Sequence, residues 1–168
     1  KDLAPPGLRR KLRFLSGGFE QGERPGILAW GSVRAGVLNC LEDTIPARAR
    51  EETAAGANLL VNITNDAWFG DTSAPTEHLA LAALRAVENR RDLVRSVNTG
   101  VSALVEATGR VAFRTETFTR TSVVAEARLL DAGTFYTVAG DWVGWLSCLS
   151  LALVVLFDTM GRRRSKRQ

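Results

Sequence analysis

Hydrophobic residues along the chain fall into short runs, and polar turn residues follow each run. The run at residues 33–38 is followed by NCLED (39–43), and the run at residues 59–63 is followed by TNDAWFGD (64–71). Between them, residues 47–55 have the composition of a helix. This order of strand, turn, helix, strand and turn is typical of a parallel α/β unit. Both polar turns should then lie at the carboxyl ends of strands, where open α/β sheets bind ligands.

The rest of the chain predicts further strands and one long helix. The helix is predicted over residues 76–91, and Thr44 and Thr76 are the predicted N-terminal caps of the two helices. Short apolar segments bounded by turn residues predict five more strands: 27–30, 93–98, 101–106, 110–113 and 123–127. Residues 1–21 predict a loop with one short helix at 8–15. The pattern therefore predicts an α/β domain in which helices cover a sheet of mixed parallel and antiparallel strands.

The chain ends with an uncharged apolar segment, residues 142–157, and a basic tail. As a helix this segment would span about 24 Å at about 1.5 Å per residue, slightly short of a hydrocarbon core of about 30 Å. Trp142 and Trp145 suit a membrane interface, and the basic cluster suits the cytoplasmic side. We predict a transmembrane helix that leaves the preceding domain outside the cytoplasm; the alternative is a buried core helix.

Charge and missing motifs exclude several classes of function. The chain has 22 Lys and Arg against 18 Asp and Glu, but five of the basic residues lie at 162–168. The other 17 face 18 acidic residues, so we expect no nucleic-acid-binding face. The sequence has no Gly-rich phosphate loop, no metal-ligand spacing and no GxSxG motif, so we expect no metal and no cofactor.

Cys40 is the candidate nucleophile. It lies where the first polar turn begins, and the N-terminus of the following helix could favour its thiolate. A thiol suits acyl transfer because a thioester forms easily and is easily attacked by a second nucleophile. A cysteine that ends an apolar run also fits a small buried residue, so position alone leaves both interpretations open.

Other side chains of the same region are open to two interpretations. Glu42 could orient a partner or a substrate amine, or it could be a solvated turn residue. His78, the only histidine, is a conceivable base for Cys40, but a histidine near a helix start is more often a surface or capping residue. Trp68 and Phe69 could be core residues or an apolar surface for a lipid chain or a bilayer.

The remaining acids of the second turn, Asp66 and Asp71, are most simply turn-forming residues.

Several segments closely resemble bacterial apolipoprotein N-acyltransferases. They are GVLNCLEDTIP (36–46), GANLLVNITNDAWFGD (56–71), HLA (78–80), RAVENR (85–90), RSVNTGVS (95–102) and FYTVAGDW (135–142). The resemblance runs from about residue 22 to the end, and the strings NDAWFGD and ENRR are distinctive. That family joins a membrane-embedded helical bundle to a nitrilase-type (carbon–nitrogen hydrolase) domain outside the cytoplasm, followed by a last transmembrane helix.

The resemblance implies an α/β fold, part of a nitrilase-like αββα sandwich. The implied organisation is a partial nitrilase-like domain at 1–135, a membrane-proximal segment with a transmembrane helix at 136–161, and a basic tail at 162–168. The implied location is the bacterial inner membrane, with the domain on the periplasmic side and the tail in the cytoplasm.

The resemblance also implies a reaction. Cys40 would attack a phospholipid acyl ester, and the N-terminal amine of a diacylglyceryl-cysteine apolipoprotein would attack the resulting thioester. Glu42 matches a carboxylate that follows the family's cysteine by two positions. Leu41 stands where the family usually has Tyr; with Trp68 and Phe69 it completes the candidate substrate-binding set.

Lys1 is the candidate catalytic lysine, because KDLAPPGL (1–8) resembles the family's segment Lys-x-x-Leu-Val-Pro-Phe-Gly-Glu. Lys1 is one residue too close to Leu3, and Leu8 replaces the Glu. The family's general-base Glu and its helical bundle lie upstream of residue 1. We therefore expect a C-terminal part of such an enzyme, inactive alone. The alternatives are a soluble-type nitrilase or amidase, and a non-catalytic, membrane-anchored module.

Overall fold

The computed structural model describes residues 25–165, with side chains through residue 156. Six strands form one sheet: β1 (Ile27–Trp30), β2 (Val33–Asn39), β3 (Leu59–Asn65), β4 (Leu93–Asn98), β5 (Ala103–Val105) and β6 (Val111–Arg114). Four α-helices accompany them: α1 (Pro46–Ala54), α2 (Ala74–Asn89), α3 (Phe135–Ala139) and α4 (Trp142–Ser165). Two short 3₁₀ helices are named here the Cys40 turn (Cys40–Thr44) and the Trp68 turn (Ala67–Phe69).

The strands follow one another in chain order across the sheet. β2, β3 and β4 pair in parallel, whereas β1, β5 and β6 pair antiparallel with their neighbours. The prediction of a mixed sheet is therefore confirmed. The carboxyl ends of the three parallel strands meet at one edge of the sheet, and the Cys40 turn and the Trp68 turn both begin there.

The helices α1 and α2 cover one face of this sheet. Side chains of alternate strand positions and of the inner helix faces form the buried core, which includes Leu38, Leu60, Leu93, Leu79, Ala82, Ala86 and Ala49. Gly36 permits the close approach of α1, because a Cβ at this position would lie 2.7 Å from the Cβ of Glu52. Small residues thus bring helix and sheet backbones together.

Among the described residues, the opposite face of the sheet is exposed at β1, β2 and β3. Leu28, Trp30 and Ile63 project from it and are exposed. Large apolar side chains on a sheet face are ordinarily covered by another layer. The two faces therefore differ: one is packed against helices and the other presents apolar side chains.

Some predicted elements differ from the structure. The helix α2 begins two residues before Thr76, after Ser73 as N-cap, because Pro75 needs no N–H partner in a first turn. Ile45, not Thr44, is the N-cap of α1; the Thr44 hydroxyl instead donates to the carbonyl of Leu41 (2.7 Å). The helix predicted at 8–15 lies outside the described residues.

The strand predicted at residues 123–127 is wrong. The segment pairs with no strand of the described sheet, and Val124 is 99% exposed. Just beyond it, the N–H of Arg128 donates to the carboxylate of Asp92 (2.8 Å), and the N–H of Leu130 donates to the carbonyl of Asn58 (3.0 Å). Residues 128–130, named here the strap, are thus held by a side chain and a loop carbonyl and not by a neighbouring strand. The apolar alternation at 123–127 therefore does not form a strand.

The apolar C-terminal segment forms α4, a continuous helix of 24 residues. In the part of the chain whose side chains are described, no helix is both long and apolar enough to cross a membrane. The predicted transmembrane helix is therefore not confirmed. Its uncharged run is short, and a span needs about 20 predominantly apolar residues.

Asp92 anchors the strap to the sheet. Its buried carboxylate accepts hydrogen bonds from the side chain of Arg128 (2.9 Å) and from the N–H of Ala107 (2.8 Å), besides the Arg128 N–H. Burial works to raise the pKa of Asp92, but the hydrogen bonds from Arg128 and Ala107 outweigh it and hold the pKa below its ordinary value.

We predict that Asp92 makes the domain sensitive to acid. A carboxylate whose pKa is depressed by folding stabilises the protein above the unfolded-state value of 3.8, and the stabilisation is lost as the pH falls through the lower folded-state value. Asp92→Asn should lower the free energy of unfolding at neutral pH and flatten its decline on acidification. Urea denaturation between neutral and acidic pH measures both effects; an equally steep acid limb in the variant would contradict the prediction.

Candidate active site

Cys40 lies at the carboxyl end of β2, as the first residue of the Cys40 turn. Its side chain is half-buried and lines a pocket of about 350 Å³. The other residues of the pocket wall are Asn39, Ile63, Thr64, Asn65 and Trp68. A ligand can therefore reach this thiol, which is not enclosed by aliphatic side chains.

The backbone of Cys40 has a left-handed conformation, with φ of 52°. A non-glycine residue in this region is uncommon and is held there by its surroundings. The side-chain amide of Asn62 donates to the carbonyl of Cys40 (3.0 Å) and to that of Leu38 (3.1 Å). The end of β2 is therefore fixed from the neighbouring strand β3.

Glu42 is hydrogen-bonded within the Cys40 turn. Its Oε2 accepts a hydrogen bond from the backbone N–H of Asn39 at 2.8 Å. This contact belongs to a capping box, in which the third residue of a helical turn bonds back to the N-cap residue. The carboxylate thus supports the turn that carries Cys40. Its catalytic role stays a prediction.

The three residues of the predicted substrate-binding set have different surroundings. Trp68 is 74% exposed and forms a wall of the pocket. Phe69 is half-buried, and its ring meets that of His78 edge-on, with 6.1 Å between centroids. Leu41 is exposed and is not part of the pocket wall. Lys1 lies outside the described residues.

A buried ionic network supports the two turns from the helix side. It consists of Asp43 in the Cys40 turn, Asp66 before the Trp68 turn, His78 in α2 and Arg95 in β4, all at most 4% exposed. His78 contacts Asp43 through Nε2 (2.7 Å) and Asp66 through Nδ1 (3.2 Å). The Arg95 guanidinium donates to Asp43 and, through Nη2, to Asp66 (3.2 Å).

Two neutral side chains complete this network. Arg95 Nη1 donates to the amide oxygen of Asn62 (3.0 Å), and the hydroxyl of Thr64 donates to Asp66 Oδ1 (3.1 Å). Gly100 leaves room for Asp66, because a Cβ there would lie 2.6 Å from its Oδ2. The network therefore fills the space between the sheet and the start of α2.

The structure corrects two sequence interpretations. His78 is a buried partner of two carboxylates, not a surface or capping residue. Asp66 is likewise buried in this network, so turn formation alone does not describe it; Asp71 is exposed, as a simple turn residue would be. The sequence did contain a signal of this buried network. Asn62, Thr64 and Arg95 occupy inward-facing positions of otherwise apolar strands, where polar side chains need buried partners.

The same cluster is not a metal centre. His, Asp and Glu can ligate metals, but the guanidinium of Arg95 already contacts both carboxylates. Within residues 25–156 no group of three or more His, Cys, Asp or Glu side chains could hold a metal ion.

Known proteins resemble the chain over most of its length. Residues 2–135 match the family model described as carbon–nitrogen hydrolase. The apolipoprotein N-acyltransferase of Geobacter metallireducens is 41% identical over 139 residues, which are 83% of this chain and 26% of that protein. That of Gloeobacter violaceus is 43% identical over 138 residues, which are 82% of this chain and 25% of that protein.

The chain thus spans about a quarter of the length of these relatives. The resemblance to apolipoprotein N-acyltransferases expected from the motifs is confirmed. Among solved structures, a carbon–nitrogen hydrolase from Helicobacter pylori G27 is similar with a TM-score of 0.52 and 14% identity, covering 59% of this chain and 42% of that one. This likeness supports the fold.

We predict that Cys40→Gly is more stable than Cys40→Ala by about 1 kcal/mol, because only glycine adopts the left-handed conformation without a Cβ clash. Both substitutions remove the thiol, so their difference isolates the backbone strain at this position. Chemical denaturation of the two variants measures it. Equal stabilities would show that the positive φ of Cys40 carries no strain.

Proposed function

Since this chain belongs to the carbon–nitrogen hydrolase family, we propose that Cys40 is its nucleophile and carries an acyl group as a thioester. The position of Cys40 is the observation that carries the proposal. It lies at the carboxyl end of a parallel strand, where open α/β sheets bind ligands, and it borders a pocket whose wall includes the exposed Ile63.

In the first step, the Cys40 sulfur attacks the carbonyl carbon of an acyl ester. The carbon–sulfur bond forms as the carbon–oxygen bond breaks, and the thiol proton leaves with the alcohol. The backbone N–H groups that follow Cys40 are the proposed donors to the tetrahedral oxyanion. In the second step an amine attacks the thioester, an amide forms, and the amine's proton returns to the sulfur.

The names of the relatives indicate the acyl acceptor. Apolipoprotein N-acyltransferase names an amine acceptor on an apolipoprotein. We propose a phospholipid as the acyl donor and the N-terminal diacylglyceryl-cysteine of an apolipoprotein as the acceptor. The exposed indole of Trp68 and the side chain of Ile63 in the pocket wall suit an acyl chain. Phe69, at the end of the Trp68 turn, and the exposed Leu41 are proposed as further apolar contacts of the substrate.

The remaining catalytic groups are part of the proposal. Glu42 positions the Cys40 turn, and Lys1 is the candidate catalytic lysine. A general-base carboxylate and a second layer of an αββα sandwich would belong to the half of the domain that covers the open sheet face.

The helix α4 is the proposed contact with the membrane. The large apolar side chains described along it, from Trp142 to Leu156, are 40–76% exposed. A core helix would bury one stripe of such residues, whereas a helix in lipid exposes them on all sides. We propose a bacterial inner-membrane location, the domain on the periplasmic side and the tail of residues 162–168 in the cytoplasm.

We predict that an activated long-chain acyl ester, such as a 4-nitrophenyl ester, acylates Cys40. Intact-mass analysis of the Cys148→Ser protein in detergent should detect one added acyl group, and neutral hydroxylamine should release it as a thioester. Cys40→Ala in the same background is the matched control. Acylation that survives Cys40→Ala, or none in the Cys40 protein, would contradict the proposal.

The fate of that acyl group decides between a transferase and an amidase-type hydrolase. Transfer to the amine of a diacylglyceryl-cysteine peptide supports the transferase, whereas release as free fatty acid with the peptide unmodified supports the hydrolase. Mass analysis of the peptide measures both products.

We predict that α4 binds the chain to phospholipid vesicles. Leu149→Asp combined with Leu153→Asp should abolish flotation with vesicles, because a charge within the hydrocarbon region costs about 3 kcal/mol. Leu81→Asp, at an exposed apolar position of α2, is the control and should still float. Equal flotation of all three proteins would exclude α4 as the membrane contact.

A further inference from the structure

We propose that His78 is a positioning residue: with Arg95 it ties the Cys40 turn to the Trp68 turn through the carboxylates of Asp43 and Asp66. This inference rests on the proposed role of Cys40 as nucleophile. It adds residues that act on the thiol through the backbone and do not touch the substrate.

The two turns belong to different strands, and the network spans them. Asp43 is the third residue after Cys40 and follows β2, whereas Asp66 follows β3 and precedes Ala67. His78 places one ring nitrogen on each carboxylate, at 2.7 Å and 3.2 Å. A single ring therefore bridges the two loops that form opposite sides of the Cys40 pocket.

Hydrogen-bond counting assigns the protonation of the ring. An ionised carboxylate can only accept, so in the proposed arrangement both nitrogens of His78 donate, which makes the ring an imidazolium. The Oδ2 atoms of Asp43 and Asp66 contact Arg95. Two negative and two positive groups then balance, which lowers the cost of burying the charges. A neutral ring would set a nitrogen lone pair against a carboxylate oxygen.

The network reaches the backbone of Cys40 in two steps. Arg95 Nη1 donates to Asn62 Oδ1 (3.0 Å), and the Asn62 amide donates to the Cys40 carbonyl (3.0 Å). His78 also contacts the Trp68 turn, because the Phe69 ring meets the His78 ring edge-on. The Trp68 ring lies next to that of Phe69, with 6.5 Å between their centroids. His78 is thus connected through these contacts to both the backbone of Cys40 and the pocket wall.

Stability alone does not account for such a network. Replacing a buried ion cluster by apolar residues of similar volume is often neutral or stabilising, because desolvation offsets the attraction between the charges. What four charged groups on four chain segments provide is one fixed arrangement of two loops. That arrangement is what the pocket beside Cys40 needs to accept an acyl chain.

The protonation of the ring is tested directly, because the chain contains one histidine. In ¹⁵N-labelled protein at neutral pH, both ring nitrogens of His78 should carry protons that exchange slowly with water. A ring with one unprotonated nitrogen, or with rapidly exchanging protons, would overturn the assignment. This measurement is independent of any activity.

The positioning role is tested by the acylation of Cys40 in the Cys148→Ser background. We compare the rate constant for the long-chain acyl ester with that for iodoacetamide, a small reagent that needs no pocket. In His78→Gln this ratio should fall about tenfold, since misplacement of reacting groups by about 1 Å costs up to about 100-fold in rate. Asp66→Asn, which weakens the same bridge, should lower the ratio if His78→Gln does not fold.

Asp92→Asn is the matched control. It also alters a buried, hydrogen-bonded carboxylate of this sheet, but Asp92 binds the strap residue Arg128 and not the Cys40 turn. It should lower stability without changing the ratio. An unchanged ratio in folded His78→Gln, or an equal fall in Asp92→Asn, would refute the positioning role. Failure of the parent to acylate Cys40 would refute the proposed function, and the ring measurement would still decide the state of His78.

Discussion

Four ionisable side chains with almost no access to water set the geometry at the carboxyl edge of this sheet. Each carboxylate oxygen of Asp43 and Asp66 has a nitrogen partner, either on His78 or on Arg95. Removing one partner from such a cluster leaves a buried charge uncompensated, at a cost of about 3–5 kcal/mol. The two turns are therefore coupled, because neither can move without breaking contacts that water cannot replace.

The parallel register brings these groups together. Leu38 pairs with Asn62, and Asn62 pairs with Arg95, so three neighbouring strands present successive side chains toward the helices. At the first of these positions the core is apolar, and at the other two it is polar. The change occurs where the strands approach their carboxyl ends, so the core gives way to the ionic network directly beneath Cys40.

Local pattern was sufficient for most strands and for the order of elements, because alternation and turn residues act over a few positions. It was not sufficient for His78 and Asp66, since their burial depends on partners from other strands and helices that no local window contains. The segment at 123–127 shows the reverse case. Its local pattern predicts a strand, but the adjoining Arg128 is hydrogen-bonded to the side chain of Asp92 and not to a neighbouring strand. The apolar run at 33–38 and the polar turn after it were sufficient to place Cys40 at the carboxyl end of β2, but the buried network beside it became evident only in three dimensions.

The two faces of the sheet have different roles at Cys40. The helix face carries the ionic network, and Ile63 on the opposite face lines the pocket beside the thiol. A left-handed cysteine costs about 1–2 kcal/mol, and the Asn62 amide on its carbonyl holds it in that conformation. The strained backbone of Cys40 is thus held from the helix side of the sheet, and the thiol stays accessible to a ligand from the pocket.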